Sequence, residues 1–307
     1  MNFLISSANY HSEADTLSFL SSVNEKARKC QNHKITVQIF DNSGTLDLSN
    51  TSYSEIKVLF VKPNRNLGLA PTWKISMSTV RKNIEYDVLV LVNNDTEFDD
   101  IFFDEVAAGV EKDNSCIYGP CIYLPDNSVW STGGDFGIFP WVVKHYAIKD
   151  IKNYEDRIKT NHLSGCCLII PRYIIDANHT DFTGLSDFFF RGEEWFFNRV
   201  CTDIGINRIL LRDAILVHKE NGSHDRFSHA HIYWAVRAKM LFIRKLRTLE
   251  RVFSFLTYGL HLCTKGAFFY KKNSDLSFYN IYKIIISAFS VGMRRRVIRE
   301  KDFRNKL

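Results

Sequence analysis

The sequence predicts an α/β protein: a mostly parallel mixed sheet flanked by helices, followed by a helical C-terminal extension. Three observations carry this reading. Over the first hundred residues, short apolar runs and amphipathic stretches alternate as strand, helix, strand, strand, helix, strand, the pattern of parallel strands joined by right-handed crossovers. The run Val88–Val92 is apolar throughout, mostly β-branched and short, as expected of a strand buried on both faces. Polar residues follow the apolar runs directly: Asp41, Asn64–Asn66 and Asn93–Asp95. In a parallel sheet such ends share one edge, where open α/β sheets bind ligands.

Taken in order, Phe3–Ile5 opens the sheet. Residues 13–30 place Leu17, Leu20, Val23 and Ala27 on one helical face. Ile35–Phe40 and Val58–Val61 are the second and third strands, and residues 71–83 form the next helix. Beyond Asp95 the alternation fades. Residues 101–112 read as a helix with Phe102, Phe103, Val106 and Val110 as its apolar side. Ile117–Pro120 and Cys121–Leu124 read as short strands before a turn at Pro125–Ser128. Residues 140–160 are charged and aperiodic, which predicts a mobile loop. Leu163–Ile170 is a buried strand closed by Pro171, and Ile209–Leu211 and Ala214–Val217 are the last strands. From residue 229 the pattern is helical to the end, including Leu249–His261 and Leu276–Gly292.

The composition, 45% hydrophobic and 24% charged over 307 residues, is that of an ordinary globular chain. Seven cysteines, an odd number without zinc spacing, argue against a disulfide framework or a cysteine metal site and for a reducing compartment. Met1–Asn9 lacks the charged and apolar regions of a signal peptide. No apolar run reaches the roughly 18–20 residues needed to span a bilayer. Net charge is +6, with basic residues concentrated near the C-terminus among Phe, Tyr, Leu and Ile. Such helices fit docking on an anionic membrane surface; a helical subdomain with a solvated basic face is the plainer alternative. The aromatics do not form an RNA-binding motif, so no nucleic-acid partner is expected. Apolar C-terminal helices leave a homodimer open.

Several residues carry candidate chemistry. Asp95 is a hard oxygen ligand; with Asn93, and with His218 at a later strand end, it could hold a divalent cation and through it a diphosphate. The alternatives are a plain Asn-Asp turn and a structural histidine. Asp41 could accept hydrogen bonds from a base or ribose. The Asn66-Leu67-Gly68 loop could offer backbone N–H groups, and Arg65 its charge, to phosphates. The chain has neither a Walker loop nor a dinucleotide glycine fingerprint, which excludes those nucleotide-binding classes. Gly133-Gly134 permits close backbone approach to a ligand, and Trp130 could stack on a ring or pack in the core. Glu193 and Glu194 lie between Phe188-Phe189-Phe190 and Trp195-Phe196-Phe197. Apolar surroundings raise a carboxyl's affinity for protons, which suits a general base; acidic residues also suit a helix N-terminus.

Asp41-Asn42-Ser43-Gly44, Asn64-Arg65-Asn66-Leu67-Gly68, Val92-Asn93-Asn94-Asp95-Thr96, Gly133-Gly134, Ser164-Gly165-Cys166-Cys167-Leu168, Glu193-Glu194-Trp195 and His218 together resemble, in order and rough spacing across about residues 1–245, an inverting family 2 glycosyltransferase of GT-A type. The likeness is greatest to the bacterial rhamnosyltransferase-like branch. The resemblance implies a Rossmann-like GT-A domain over 1–228, with a nucleotide-binding half (1–100) and an acceptor-binding half (101–228), and a basic, membrane-associating helical region over 229–307. It implies that Asp41, Arg65, Asn66, Gly68, Asn94 and Gly134 bind a UDP- or dTDP-sugar. Asp95, with Asn93 and His218, would hold Mg²⁺ or Mn²⁺, and Glu194, with Glu193 beside it, would deprotonate an acceptor hydroxyl. It further implies a lipid-linked glycan acceptor, a place in bacterial surface polysaccharide synthesis (O-antigen or capsule), and a cytoplasmic enzyme peripheral to the inner membrane. Three departures stand out: Asn93 replaces the first Asp of the metal motif, Phe196 replaces a further acidic residue, and Ser6-Ser7-Ala8 replaces a Pro-Thr-Tyr opening. The competing readings are a basic membrane- or nucleic-acid-binding module on a degenerate sheet, and a sugar-nucleotide-forming nucleotidyltransferase, for which the N-terminus lacks a glycine-rich signature.

Overall fold

Strand β1 (Asn2–Asn9) lies at the middle of the N-terminal half of the sheet and pairs in parallel with β2 (Lys34–Asp41) and β4 (Val88–Val92); β3 (Ile56–Val61) adds in parallel to β2. The structure, a computed structural model, describes residues 1–146, 155–178, 181–220 and 228–294. Helix α1 (Glu13–Lys29) links β1 to β2 and α2 (Leu69–Asn83) links β3 to β4, giving the predicted parallel crossovers. The second half is mixed. It contains β5 (Thr96–Phe98), α3 (Phe102–Lys112), β6 (Ile117–Tyr123), β7 (Val129–Ser131), the hairpin β8 (Gly134–Phe136) and β9 (Val143–His145), β10 (Arg157–Thr160), β11 (Cys167–Pro171), α4 (Arg172–Asn178), α5 (Glu193–Asp203) and β12 (Arg208–His218). The ten-stranded sheet runs β10-β12-β6-β11-β4-β1-β2-β3, with β5 added to β12 and β7 to β6. Strand β11 is antiparallel to both β4 and β6, and β12 is parallel to β6.

The alternation of β4 sorts its side chains between two cores. Val88, Val90 and Val92 face Phe19, Leu20 and Val23 of α1 and Phe102, Phe103 and Val106 of α3. Leu89 and Leu91 join Trp73 and Met77 of α2 and Phe197 and Val200 of α5 on the other side. A third core lies among α6 (His229–Lys245), α7 (Thr248–His261), α8 (Ala267–Lys272) and α9 (Phe278–Arg294). Helix α6 belongs to both: Leu241 and Phe242 enter the second core, Met240 and Ile243 the third.

Several expectations need correction. Strand β1 does not stop at Ile5 but continues through Asn9, because Ser6 is buried with its hydroxyl 2.7 Å from that of Ser76. The expected loop at 140–160 contains β9 and β10, held by their partners β8 and β12 rather than by any periodicity of their own; residues 147–154 lie outside the described part. The two strands expected at 209–217 are one strand, β12, irregular between Leu211 and Ile215. Strand β5, three residues long, was not expected. Among the described residues no helix is long and apolar enough to cross a membrane.

The burial pattern sets a contrast in stability. Leu89→Ala, which empties a fully buried position, is expected to cost about 2–5 kcal/mol in chemical denaturation. Leu249→Ala, at a position 86% exposed, is expected to change stability by no more than about 0.5 kcal/mol.

Candidate active site

The carboxyl ends of β1, β2 and β4 are tied together by side chains. Asp41 closes β2 and is buried; its Oδ1 accepts from Asn9 Nδ2 (2.9 Å), Ser43 Oγ (2.8 Å) and Gly44 N (3.0 Å), and its Oδ2 from Leu46 N (3.1 Å). Burial pushes this carboxyl up, but the bonds from Asn9, Ser43, Leu46 and Gly44 outweigh it and hold Asp41 below the usual carboxylate range. Asp41 therefore first shapes its own loop; Oδ2, with a single donor, keeps capacity for one more. Asn9 Oδ1 in turn accepts from Thr16 Oγ1 at 3.1 Å. Asn94, expected to face a donor, instead sends Nδ2 to Ser12 Oγ and Thr16 Oγ1, both at 2.7 Å. Its amide pins the turn after β4 to the first turn of α1.

That turn delivers Asp95 to His218. Strand β5 pairs antiparallel with β12 in a register that sets Thr96 opposite His218, and Lys219 N donates to Asp95 O at 2.8 Å. Asp95 Oδ1 lies 3.2 Å from His218 Nε2, with both side chains largely buried. The edge of the His218 ring meets Trp130, with centroids 4.7 Å apart, and Trp130 Nε1 donates to Glu220 Oε1 at 2.5 Å. Trp130 thus buttresses the histidine. Asn93 anchors the same turn through its backbone, accepting from Thr96 Oγ1 (2.8 Å) and donating to Cys166 O (3.0 Å). Among the described residues no three His, Cys, Asp or Glu side chains converge as a self-sufficient metal cluster. Asp95, His218 and the Asn93 side chain would leave the remaining positions of a cation to ligand oxygens.

The segment before β11 joins this turn to the paired glutamates. Cys166 O receives the Asn93 bond, and a Cβ added at Gly165 would sit 2.9 Å from the Cβ of Glu194. Only glycine lets α5 come this close. Glu193 and Glu194 open α5, behind Gly192 in the left-handed region (φ 84°). The two differ in access. Glu193 is only 6% exposed and its Oε2 lacks a partner among the described residues, so an acceptor cannot reach it; the expectation that it shares the catalytic role is corrected to that of a buried neighbour. Glu194 is half-buried, and Asn198 Nδ2 donates to its carbonyl at 2.7 Å. Burial pushes the Glu194 carboxyl up, opposed by backbone hydrogen bonding and by the charges of Arg191 and Lys239. Burial, then the charge of Glu194, pushes Glu193 up as well. Lys239, on α6, holds its ammonium over Trp195 (5.1 Å), Trp141 (5.3 Å) and Tyr258 (5.7 Å). Burial brings that ammonium down to about 8 against the pull of Glu194.

Two segments expected to meet phosphate or ligand are engaged within the chain. The N–H groups of Leu67, Gly68 and Leu69 are taken by Asn42 Oδ1 (3.2 Å), Asn66 Oδ1 (2.8 Å) and Phe189 O (3.0 Å). Gly68, at φ 81°, is required because a Cβ there would lie 2.4 Å from Phe189 O. Of this loop, Asn64 and Arg65 are exposed, and Arg65 carries the charge that a phosphate would meet. Gly134 likewise admits protein rather than ligand: its N–H goes to Thr160 Oγ1 (3.0 Å), its carbonyl accepts from Asn161 and His162, and a Cβ would lie 2.6 Å from Lys144 O. Sequence reasoning missed Asn9, Ser12 and Thr16, although Ser12 and Thr16 share a face at the start of α1. It also missed Lys239, whose signal is a single charge between the buried Ala238 and Met240.

No protein-family profile and no characterised protein sequence matches the chain. Its architecture does match solved structures. Over 96% of this chain it superimposes on GalNAc-T7 with UDP, GalNAc and Mn²⁺, at TM-score 0.61 and 12% identity. It superimposes on residues 1–349 of S. aureus TarS over 96% of the chain at TM-score 0.56 and 13% identity. The complex of that TarS fragment with UDP-GlcNAc matches over 95% of the chain at TM-score 0.51 and 13% identity. The chain spans 57% of the GalNAc-T7 chain and 81% of the TarS fragment. A mostly parallel mixed sheet, the helices on its two faces and the C-terminal helices are common to them: the chain has the GT-A fold.

Proposed function

We propose that this protein is a glycosyltransferase that moves a sugar from a UDP- or dTDP-sugar to a hydroxyl of a glycan acceptor, with inversion. The observation that carries this reading is the meeting of Asp95 and His218, 3.2 Å apart at the strand ends of a GT-A sheet, one short segment away from half-buried Glu194. Neighbours crystallised with UDP, with UDP-GlcNAc and with Mn²⁺ support the donor class and a divalent cation. We further assign residues 1–228 together with α6, which brings Lys239 to Glu194 and Leu241 and Phe242 to the core beneath the sheet, as the catalytic unit, with a lipid-linked acceptor in surface polysaccharide synthesis. The seven free cysteines, six of them buried, support a reducing compartment.

The donor set fits a cation. A carboxylate oxygen and an imidazole nitrogen each roughly 2.1 Å from one ion lie roughly 3 Å apart, close to the observed spacing. A mixed nitrogen–oxygen pair favours Mn²⁺ over Mg²⁺, which prefers oxygen alone. When bound, the ion would offset charge developing on the departing diphosphate. Arg65 adds positive charge at the α2 end. Asp41, fully buried, acts indirectly by fixing the loop after β2 that would border the base. Glu194 takes the acceptor proton while the acceptor oxygen attacks the anomeric carbon from the face opposite the diphosphate. Glu193, kept protonated by burial, spares its neighbour a second adjacent charge. Lys239 and Arg191 favour the ionised form that Glu194 needs as base.

Calorimetry with UDP and with dTDP is expected to show binding of one nucleotide that requires Mn²⁺ and is lost in Asp95→Ala. Glu194→Gln should bind that nucleotide unchanged while transfer falls by about 10²–10⁴-fold; retained turnover would remove Glu194 as base. The raised carboxyl also sets a pH dependence. A base must be ionised, so transfer should fall as pH drops, with the acidic limb above the usual glutamate value of about 4.3. Lys239→Met removes a positive charge that favours ionisation, so the limb should move to higher pH; a limb that stays in place or moves down would separate Lys239 from the base.

A further inference from the structure

Thirteen of the sixteen large apolar side chains exposed among the described residues fall on residues 138–139 or 249–293. On α7 they repeat at helical spacing: Leu249 (86% exposed), Val252, Phe253, Leu256 and Leu260. The opposite side of α7 is spent on the third core through Tyr258 and on buried Ser254. The stripe continues onto another element, since Phe139, in the hairpin loop between β8 and β9, stacks on Phe253 with centroids 5.8 Å apart and planes 4° apart, next to Ile138 at 89% exposure. Isolated apolar side chains on a surface need no explanation, but a contiguous patch drawn from two elements does.

Charge selects the occupant. Residues 247–307 hold thirteen Lys and Arg against four Asp and Glu, a surplus larger than the +6 of the whole chain, so residues 1–246 are net acidic. Of the acidic residues beside the stripe, Glu250 is engaged with Arg199 in a two-bond ion pair (2.7 and 3.0 Å). Arg251 on α7 and Lys265, just past its end, are exposed, as are Lys272 on α8 and Lys283 on α9. A second copy placed face to face would set these cations against one another. An anionic lipid surface would meet them with opposite charge while taking the apolar stripe into its interface.

We propose that α7 and the 138–139 loop tip form a bilayer-docking face that lies in the interface of an anionic phospholipid membrane without crossing it. The loop tip is continuous with Trp141, which packs beside Lys239, so the face borders the Glu194 end of the site and would turn that end toward a lipid-linked acceptor. This last step rests on the transferase reading; the docking itself does not. The test is cosedimentation of the full chain, without donor or acceptor, with vesicles of phosphatidylcholine alone or mixed equally with phosphatidylglycerol, alongside sedimentation velocity. The expected result is binding to the anionic vesicles only, weakened by salt, reduced at least tenfold in Leu249→Glu/Leu256→Glu, with the wild type monomeric. Both substituted positions are exposed, and nucleotide binding unchanged in the double variant would show that it folds. Absence of vesicle binding overturns the proposal, and a dimer that the same double variant dissociates would assign the face to a second copy. Vesicle binding with no nucleotide binding would leave docking intact and remove the transferase reading.

Discussion

The buried Asp41 carboxylate is the constraint on which the site end of the sheet depends. Removing a carboxylate from water is costly unless donors replace its hydration, and here four do. Asn9 serves the carboxylate with its nitrogen and receives Thr16 with its oxygen, and Thr16 also receives Asn94. The ends of β1, β2 and β4 and the start of α1 are held in one network of charge-assisted and neutral hydrogen bonds, the kind of buried polar arrangement that fixes geometry when every member is satisfied. Asp95 follows directly on Asn94, so its position against His218 inherits that rigidity.

The second half of the sheet supplies what the first lacks. An antiparallel strand, β11, is inserted between β4 and β6, so the segment entering it arrives at the same edge where β4 leaves. Residues 165 and 166 use that position twice, once to bond the Asn93 turn and once to let α5 approach. The glutamates at the head of α5 sit in a partly compensated environment: the helix terminus, Arg191 and Lys239 favour charge, while burial opposes it. The balance leaves Glu194 with a proton affinity above that of a solvated carboxylate, a property of the packing rather than of the residue alone.

Much of this was legible in the sequence, and the failures have physical causes. Strand β4 declares itself because burial on both faces makes it a short unbroken apolar run, and β2, α1 and α3 because a buried face imposes a period. Strands β5, β9 and β10 have three or four residues and no period to show; their pairing comes from distant partners. Gly134 marks a close approach in the sequence, but a glycine does not say what approaches: here it is the Lys144 carbonyl of the chain itself, as at Gly68 it is that of Phe189. Asp95 and His218 were legible as strand-end residues of a recognisable pattern. Lys239 was not, because a single lysine in an apolar helix looks like a solvated charge until Trp141, Trp195 and Tyr258 are seen around it.

Helix α6 gives side chains to the core beneath the sheet and to the core among the C-terminal helices. The two halves of the molecule therefore share a wall. A cut at its start would strip Leu241 and Phe242 from beneath the sheet, whereas a cut at its end, near Leu246, would pass where the chain changes allegiance from one core to the other. Helices α7 to α9 rest on the far side of that wall, so they can be rebuilt on their outer faces without touching the floor of the sheet, provided Tyr258 keeps its place against Lys239.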